Sequence, residues 1–291
     1  MMDSNTRRQA IALYDRFTHE GMDRRLFMHR MVAIAGSVAA AEALIGLISA
    51  SPAAAALTDA ADPSLIVRKG TLGFSSTLSG YVAVKKGTAS APILLVIHEN
   101  RGLNAHIEDV ARRLALAGYF TIAPDLLSSI GGTPADEDAA RDAIGRLDLE
   151  ATVAQVVNFA TRVRGLRHDN GRVGAVGFCW GGAFVDRLAV SGGTALNAAV
   201  AYYGPAPDPS QAAKVQMPLL LHYAGLDDRV NAAGKPWVEA LKRAGKDVTA
   251  YTYPGVDHAF NNDTSAERYN KAAADLAWQR TLAFFKQHLA A

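Results

Sequence analysis

The residue types with chemistry in them gather around the single cysteine. Cys179 lies in Val176-Gly177-Phe178-Cys179-Trp180-Gly181-Gly182, where an apolar run passes into a helical stretch. This is a G-x-nucleophile-x-G turn with a thiol where a serine usually stands. A strand that reverses sharply into a helix strains the apex residue, and flanking glycines avoid the collisions a Cβ would cause. The helix start offers backbone N–H groups and partial positive charge, which favour a thiolate and an oxyanion. A free cysteine is most often a small buried filler. The case for chemistry therefore rests on partners elsewhere in the chain.

Two loops supply them. Gly225-Leu226-Asp227-Asp228-Arg229-Val230 follows the apolar run 218–223, and Pro254-Gly255-Val256-Asp257-His258-Ala259-Phe260 follows the run 248–253. Nucleophile, acid and histidine in that chain order match a strand-end triad. Asp227 or Asp228 would orient the His258 imidazole and support its positive form, while His258 takes the thiol proton. A loop histidine or a helix-capping aspartate is ordinary on its own. Three such groups past the ends of successive strands fall where open α/β sheets carry their sites. The chemistry is acyl transfer through a thioester, which requires no metal or organic cofactor. His98, His106, His168, His222 and His258 show no metal-ligand spacing, and one cysteine excludes a disulfide framework or a multi-thiolate zinc site.

Positioning these loops takes an alternation of strands and helices from residue 65 onward. Residues 72–84 read as a hairpin broken near Ser79-Gly80. The run 93–98, ILLVIH, has the continuous apolar character of a strand buried on both faces. Asn104 is the expected cap of a helix over 107–117, stopped by Gly118. Further strands are expected at 120–123 (ended by Pro124), 173–178, 197–203, 218–223 and 248–253. Helices are expected from the cysteine turn to 190, at 236–244 and at 269–288, with an irregular helical stretch over 135–164. This alternation predicts one α/β domain over residues 65–291, its mainly parallel sheet covered by helices on both faces. A chain of 291 residues with 49% hydrophobic types has material for one large core.

Residues 1–56 are of another kind. Arg24-Arg25-Leu26-Phe27 precedes an apolar, alanine-rich run over 31–56 that contains Pro52 and ends in small residues at Ala54 to Ala56. Paired arginines, an apolar run and a small-residue cleavage site predict a twin-arginine leader, a partnership with the export machinery, and a periplasmic mature protein. An uncleaved run would be a membrane anchor, but that needs about 20 strongly apolar residues, which Glu42 and the many alanines argue against. An ordinary helix of the folded protein is the remaining reading. The 30 Lys+Arg against 28 Asp+Glu exclude a protein built on a basic nucleic-acid footprint.

Five stretches carry a family likeness: the cysteine turn, His98-Glu99-Asn100-Arg101-Gly102-Leu103-Asn104, the Asp227 loop, His258-Ala259-Phe260-Asn261-Asn262, and Ala277-Trp278-Gln279-Arg280-Thr281. Over essentially all of residues 65–291 the chain resembles the dienelactone hydrolases, a cysteine-using branch of the α/β hydrolases. The resemblance implies an α/β-hydrolase fold, small esters or lactones as substrates, and Cys179, Asp227 and His258 as the triad, with Asp227 preferred to Asp228. It implies that Glu99 holds the resting cysteine as a neutral thiol until substrate binds. It also implies an oxyanion hole formed by the backbone N–H groups of Trp180 and Asn100. The family arginine four residues after the catalytic histidine, which pairs with a substrate carboxylate, is Asn262 here. A neutral amide makes no such charge-assisted pair, so the expected contact for dienelactone itself is missing. Arg141 or Arg146 is the candidate for a second family arginine, and Phe260, Asn262, Tyr203 and Arg141 are the expected substrate contacts. The contrasting reading is a non-catalytic or redox-sensing protein of the same fold, with Cys179 as a reactive thiol.

Overall fold

Apolar runs bounded by turn residues fold into eight strands of one sheet: β1 (Leu65–Thr71), β2 (Ser79–Lys85), β3 (Ala91–Ile97), β4 (Phe120–Asp125), β5 (Asp169–Phe178), β6 (Ala198–Tyr202), β7 (Leu219–Ala224) and β8 (Val248–Tyr253). The computed structural model describes residues 4–49, 56–73, 78–166 and 169–290. Strand order is β1-β2-β4-β3-β5-β6-β7-β8. β2 is antiparallel to both its neighbours, and β4 through β8 run parallel. The helices are α1 (Ser4–His19), α2 (Arg24–Ala35), α3 (Val38–Ile48), α4 (Ala105–Leu116), α5 (Glu137–Gly145), α6 (Leu149–Val163), α7 (Trp180–Ser191), α8 (Asp228–Arg243) and α9 (Lys271–Leu289).

The period of two along a strand divides the core between the two faces. In β3, Ile93, Leu95 and Ile97 join the core under α6, α7 and α8, with Val156, Phe184 and Trp237. Leu94 and Val96 join the opposite core under α4 and α9, with Ile107, Leu114 and Phe285. A helical covering on both faces is what a buried parallel sheet requires.

Local chemistry moves several boundaries. The hairpin pair is β1–β2, so Ser79-Gly80 begins a strand rather than breaking one; residues 74–77 lie outside the described residues. Pro124 sits inside the end of β4, opposite Gly80, rather than terminating it. The stretch 135–164 divides into α5 and α6 because Asp148 caps a new helix, accepting from Ala151 N at 3.0 Å. The helix expected at 236–244 starts earlier, as α8, because the Asp227 side chain caps it through Val230 N at 3.1 Å; Pro236 falls within it.

The first residues, set apart above as a leader, fold as three helices. Asp23 caps α2 through Arg25 N and Leu26 N. Gly36, at φ 85°, ends α2 and Ser37 starts α3. Ala10, Met31, Ala41 and Ile48 are fully enclosed between these helices. The unit docks on the sheet domain through Arg7 to Glu267 (2.7 Å) and Asp257 (3.2 Å), Arg268 to Asp15 (3.3 Å), Ser265 Oγ to Ile48 O (2.6 Å), and an Arg24–Asp138 pair. No single helix among the described residues is long and apolar enough to cross a membrane; α2 and α3 are so only together, across a 103° bend. Pro52, Ala54 and Ala55 lie outside the described residues.

Because Met31 is fully buried in this N-terminal core, Met31→Ala in the full chain is expected to lower unfolding free energy by about 2–5 kcal/mol. Urea denaturation checks this. An unchanged midpoint would mean that α1–α3 are not part of the cooperative fold.

Candidate active site

The strand-to-helix turn after β5 bears Cys179 at φ 55° and ψ −117°, a conformation that costs a non-glycine residue on the order of 1–3 kcal/mol. Its neighbours have no room for side chains. A Cβ on Gly177 would lie 2.1 Å from Gly181 O, and one on Gly181 would lie 2.4 Å from His98 O. Cys179 N donates to Tyr202 O (3.0 Å) and Cys179 O accepts from Ala183 N (3.1 Å), fixing the apex between β6 and α7. The cysteine is buried at 5% exposure.

Asp227 follows β7 and divides its carboxylate. One oxygen caps α8 through Val230 N, and the other accepts from His258 Nδ1 at 2.6 Å. Asp228, the alternative acid, is exposed at the first position of α8. His258 follows β8 and is turned inward by Ala259 at φ 64°. Its Nε2 is buried without a hydrogen-bond partner, and a ring nitrogen of His258 lies within 4.8 Å of the Cys179 sulfur. Burial alone would lower the His258 pKa; the nearby Cys179 sulfur and the Asp227 carboxylate outweigh it and push it up to about 10. Burial would raise the Asp227 pKa, and the His258 charge and hydrogen bond instead hold it below the usual carboxylate range.

The remaining expected residues divide. Glu99 is buried beyond β3, but its carboxylate accepts from Asn262 Nδ2 at 2.8 Å and makes no hydrogen bond to Cys179. Asn262 is thereby committed, its oxygen accepting from Thr264. Tyr203 packs edge-on against His258, with ring centroids 5.1 Å apart, and its buried hydroxyl is unpartnered. Phe260 is fully enclosed against Tyr203 and Tyr253 and serves the core rather than a substrate wall. Arg141 stacks over Phe17 at 4.6 Å and pairs with Asp138. Trp180, first residue of α7, stacks on His98 and Phe184. Asn100 lies just past β3 and donates its side-chain amide to Thr18 O at 3.2 Å. His168 lies outside the described residues.

That last contact introduces groups that sequence reasoning missed. Tyr14, Thr18 and His19 of α1 close over the nucleophile, with Arg101 and Arg268 beside them. His19 Nε2 is 3.7 Å from Cys179 Sγ. Cys179, His19 and His258 present three ligand atoms within 4.8 Å of one another, a Cys-His₂ set that suits a soft divalent ion such as zinc. The arrangement can do proton-coupled thiol nucleophilic chemistry: a strained sulfur, an imidazole within reach of it, and a carboxylate orienting that imidazole.

Comparison with known proteins identifies the family. The dienelactone hydrolase family model matches residues 78–289. An Escherichia coli O157:H7 protein named as a carboxymethylenebutenolidase is 30% identical over 82% of this chain and 94% of its own length. A Methylorubrum extorquens protein of the same name is 31% identical over 90% of this chain and 94% of its own. A match of that extent must run into the residues before 57. A Klebsiella pneumoniae protein whose crystal structure is described as a dienelactone hydrolase superposes with TM-score 0.69 at 29% identity, covering 77% of this chain and 99% of that one.

The Asp227–His258 pair sets a pH response. His258, raised to about 10 in the fold, contributes stability that is complete below the ~6.5 of a free imidazole and is lost as pH rises toward the folded value. Asp227→Asn removes one of the two causes of that shift. Stability to urea, followed upward from about pH 6.5, is expected to fall less steeply in Asp227→Asn than in wild type. Parallel slopes would contradict the pairing.

Proposed function

This chain belongs to the dienelactone hydrolase family and is an ester- or lactone-cleaving hydrolase, and on that premise we propose that it works through a Cys179–His258–Asp227 triad and a thioester intermediate. The observation that carries the reading is the 2.6 Å Asp227–His258 Nδ1 bond, with His258 Nε2 unpartnered and the imidazole within 4.8 Å of the sulfur. Asp227 holds the Nδ1 proton, so Nε2 is the nitrogen free to exchange a proton with the thiol.

In the proposed cycle the Cys179 thiolate attacks the carbonyl carbon of a small ester or lactone, while His258 holds the proton. The tetrahedral oxyanion would be met by the backbone N–H groups of Trp180, at the positive end of α7, and Asn100. Collapse breaks the carbon–oxygen bond, the leaving oxygen takes the proton from His258, and the acyl group remains on sulfur. Water then attacks the thioester with His258 as general base, releasing the acid and restoring the thiol.

We propose a second reading for location. Exposed Arg24 and Arg25 open α2, and the apolar α2 and α3 follow, which supports an export leader acting through the twin-arginine machinery to the periplasm. The test is the N-terminal residue of protein recovered from the cell envelope. A residue near position 57 is expected, and an intact Met1 or Met2 on exported protein would overturn cleavage.

For the triad, Cys179→Ala is expected to lower kcat/KM on an activated aryl ester by about 10⁴-fold or more with the fold retained, and Asp227→Asn by roughly 10⁴-fold. Steady-state kinetics with circular dichroism checks both. Full turnover in folded Cys179→Ala would end the proposal, and rapid sulfenylation without ester cleavage in wild type would favour the redox-sensing reading.

A further inference from the structure

We infer that His19 closes the active site of this hydrolase without taking part in its chemistry: its imidazole is the resting partner of the Cys179 sulfur and the side chain that substrate must displace. The inference rests on the triad reading above. His19 is the last residue of α1. Its Nε2 is the hydrogen-bond partner given to Sγ, at 3.7 Å, and its ring meets that of His258 edge-on with centroids 5.0 Å apart.

With α1 in place the free volume at the nucleophile is ≈ 20 Å³. That admits about one water molecule and no ester. The ties of the last turns of α1 to the sheet domain over the site are polar, Asn100 to Thr18 O, Arg268 to Asp15, and Arg101 to the Tyr14 hydroxyl, while Tyr14 and Phe17 pack within the apolar core of α1–α3. Water can replace the polar ties at small net cost. Two residues past His19 the chain turns at Gly21, φ 67°. Tyr14 and Arg101 also line an adjoining cleft of ≈ 390 Å³ between the N-terminal helices and the start of α5. An outward shift of the last turn of α1 would join this cleft to the chamber and make room for an acyl group.

His19 is suited to the role by its place, ending α1 with its ring against both the sulfur and the His258 imidazole. Burial, then the positive charges of His258, Arg229, Arg268 and Arg101, push the His19 pKa well below the imidazole range. In its Nε2–H tautomer it donates to the sulfur across the 3.7 Å contact. Displacing it leaves the sulfur beside His258 alone, with its remaining lone pairs open to a carbonyl. A binding-competent form that is only a fraction of the population weakens apparent binding by that fraction. Removing the His19 contact should act on KM and leave kcat nearly unchanged.

Cys179 is the only cysteine, so alkylation of the full chain reports on this sulfur alone. His19→Ala is expected to raise the iodoacetamide alkylation rate about tenfold or more near pH 7, and to lower KM for an activated aryl ester severalfold with kcat within about twofold. His19→Gln, which keeps a donor amide of similar reach, is expected to stay within about twofold of wild type on both readouts. His19→Ala behaving like wild type would overturn the inference and leave the triad standing. His19→Gln matching His19→Ala would also overturn it, because the sulfur contact would then not be what closes the site. Failure of the triad is read separately, as ester turnover that survives Cys179→Ala.

Discussion

Backbone meets backbone without side chains at the turn between β5 and α7, and that contact sets the position of everything else in the site. Gly177 faces Gly181 O, Gly181 faces the carbonyls of Ile97 and His98, and Gly182 faces Tyr202 O. The turn is thus wedged between β3 and β6, and its apex has nowhere to relax. Strain of this kind persists only where the surroundings over-determine it. Here the surroundings are the central strands of the sheet, and the placement of the sulfur is as rigid as they are.

The electrostatics follow from that rigidity. Cys179, Asp227 and His258 are all nearly enclosed, where each charge alone would be costly. Burial opposes the ionised form of both Asp227 and His258, and their mutual pairing reverses the outcome for each. The Asp227 carboxylate also ends on Val230 N–H at the start of α8, so the acid is oriented by a helix rather than by a mobile loop. Glu99 is likewise held, by Asn262. The amide at position 262, which lacks the charge to grip a carboxylate, has a different task here.

Much of the sheet domain was legible in the sequence because its signals are local. A continuous apolar run marked the strand near 173–178, β-branched and aromatic residues marked the one at 248–253, and the order of thiol, acid and histidine singled out the loops that meet. Asp227 and Asp228 were not separable by pattern; capping geometry and exposure distinguish them. Phe260 and Tyr203 were expected to face substrate, but a buried aromatic and a pocket aromatic have the same type and spacing. The largest departure is the N-terminal segment. An alanine-rich apolar stretch after paired arginines has the composition of a leader and also of tightly packed small helices. Nothing local marks a contact between His19 and a sulfur 160 residues away. If cleavage near Ala56 occurs, it removes His19 and the whole of α1, so export and exposure of the nucleophile would be the same event.

The central claim is that Cys179 becomes acylated during turnover. Its most direct measure is intact-mass and peptide mapping of the wild-type chain, acid-quenched during the first turnovers of an activated aryl ester. The account predicts a single added acyl group located on Cys179, disappearing as substrate is exhausted. Steady turnover with the acyl group on another residue, or with none captured while the leaving group appears in a burst, would contradict it.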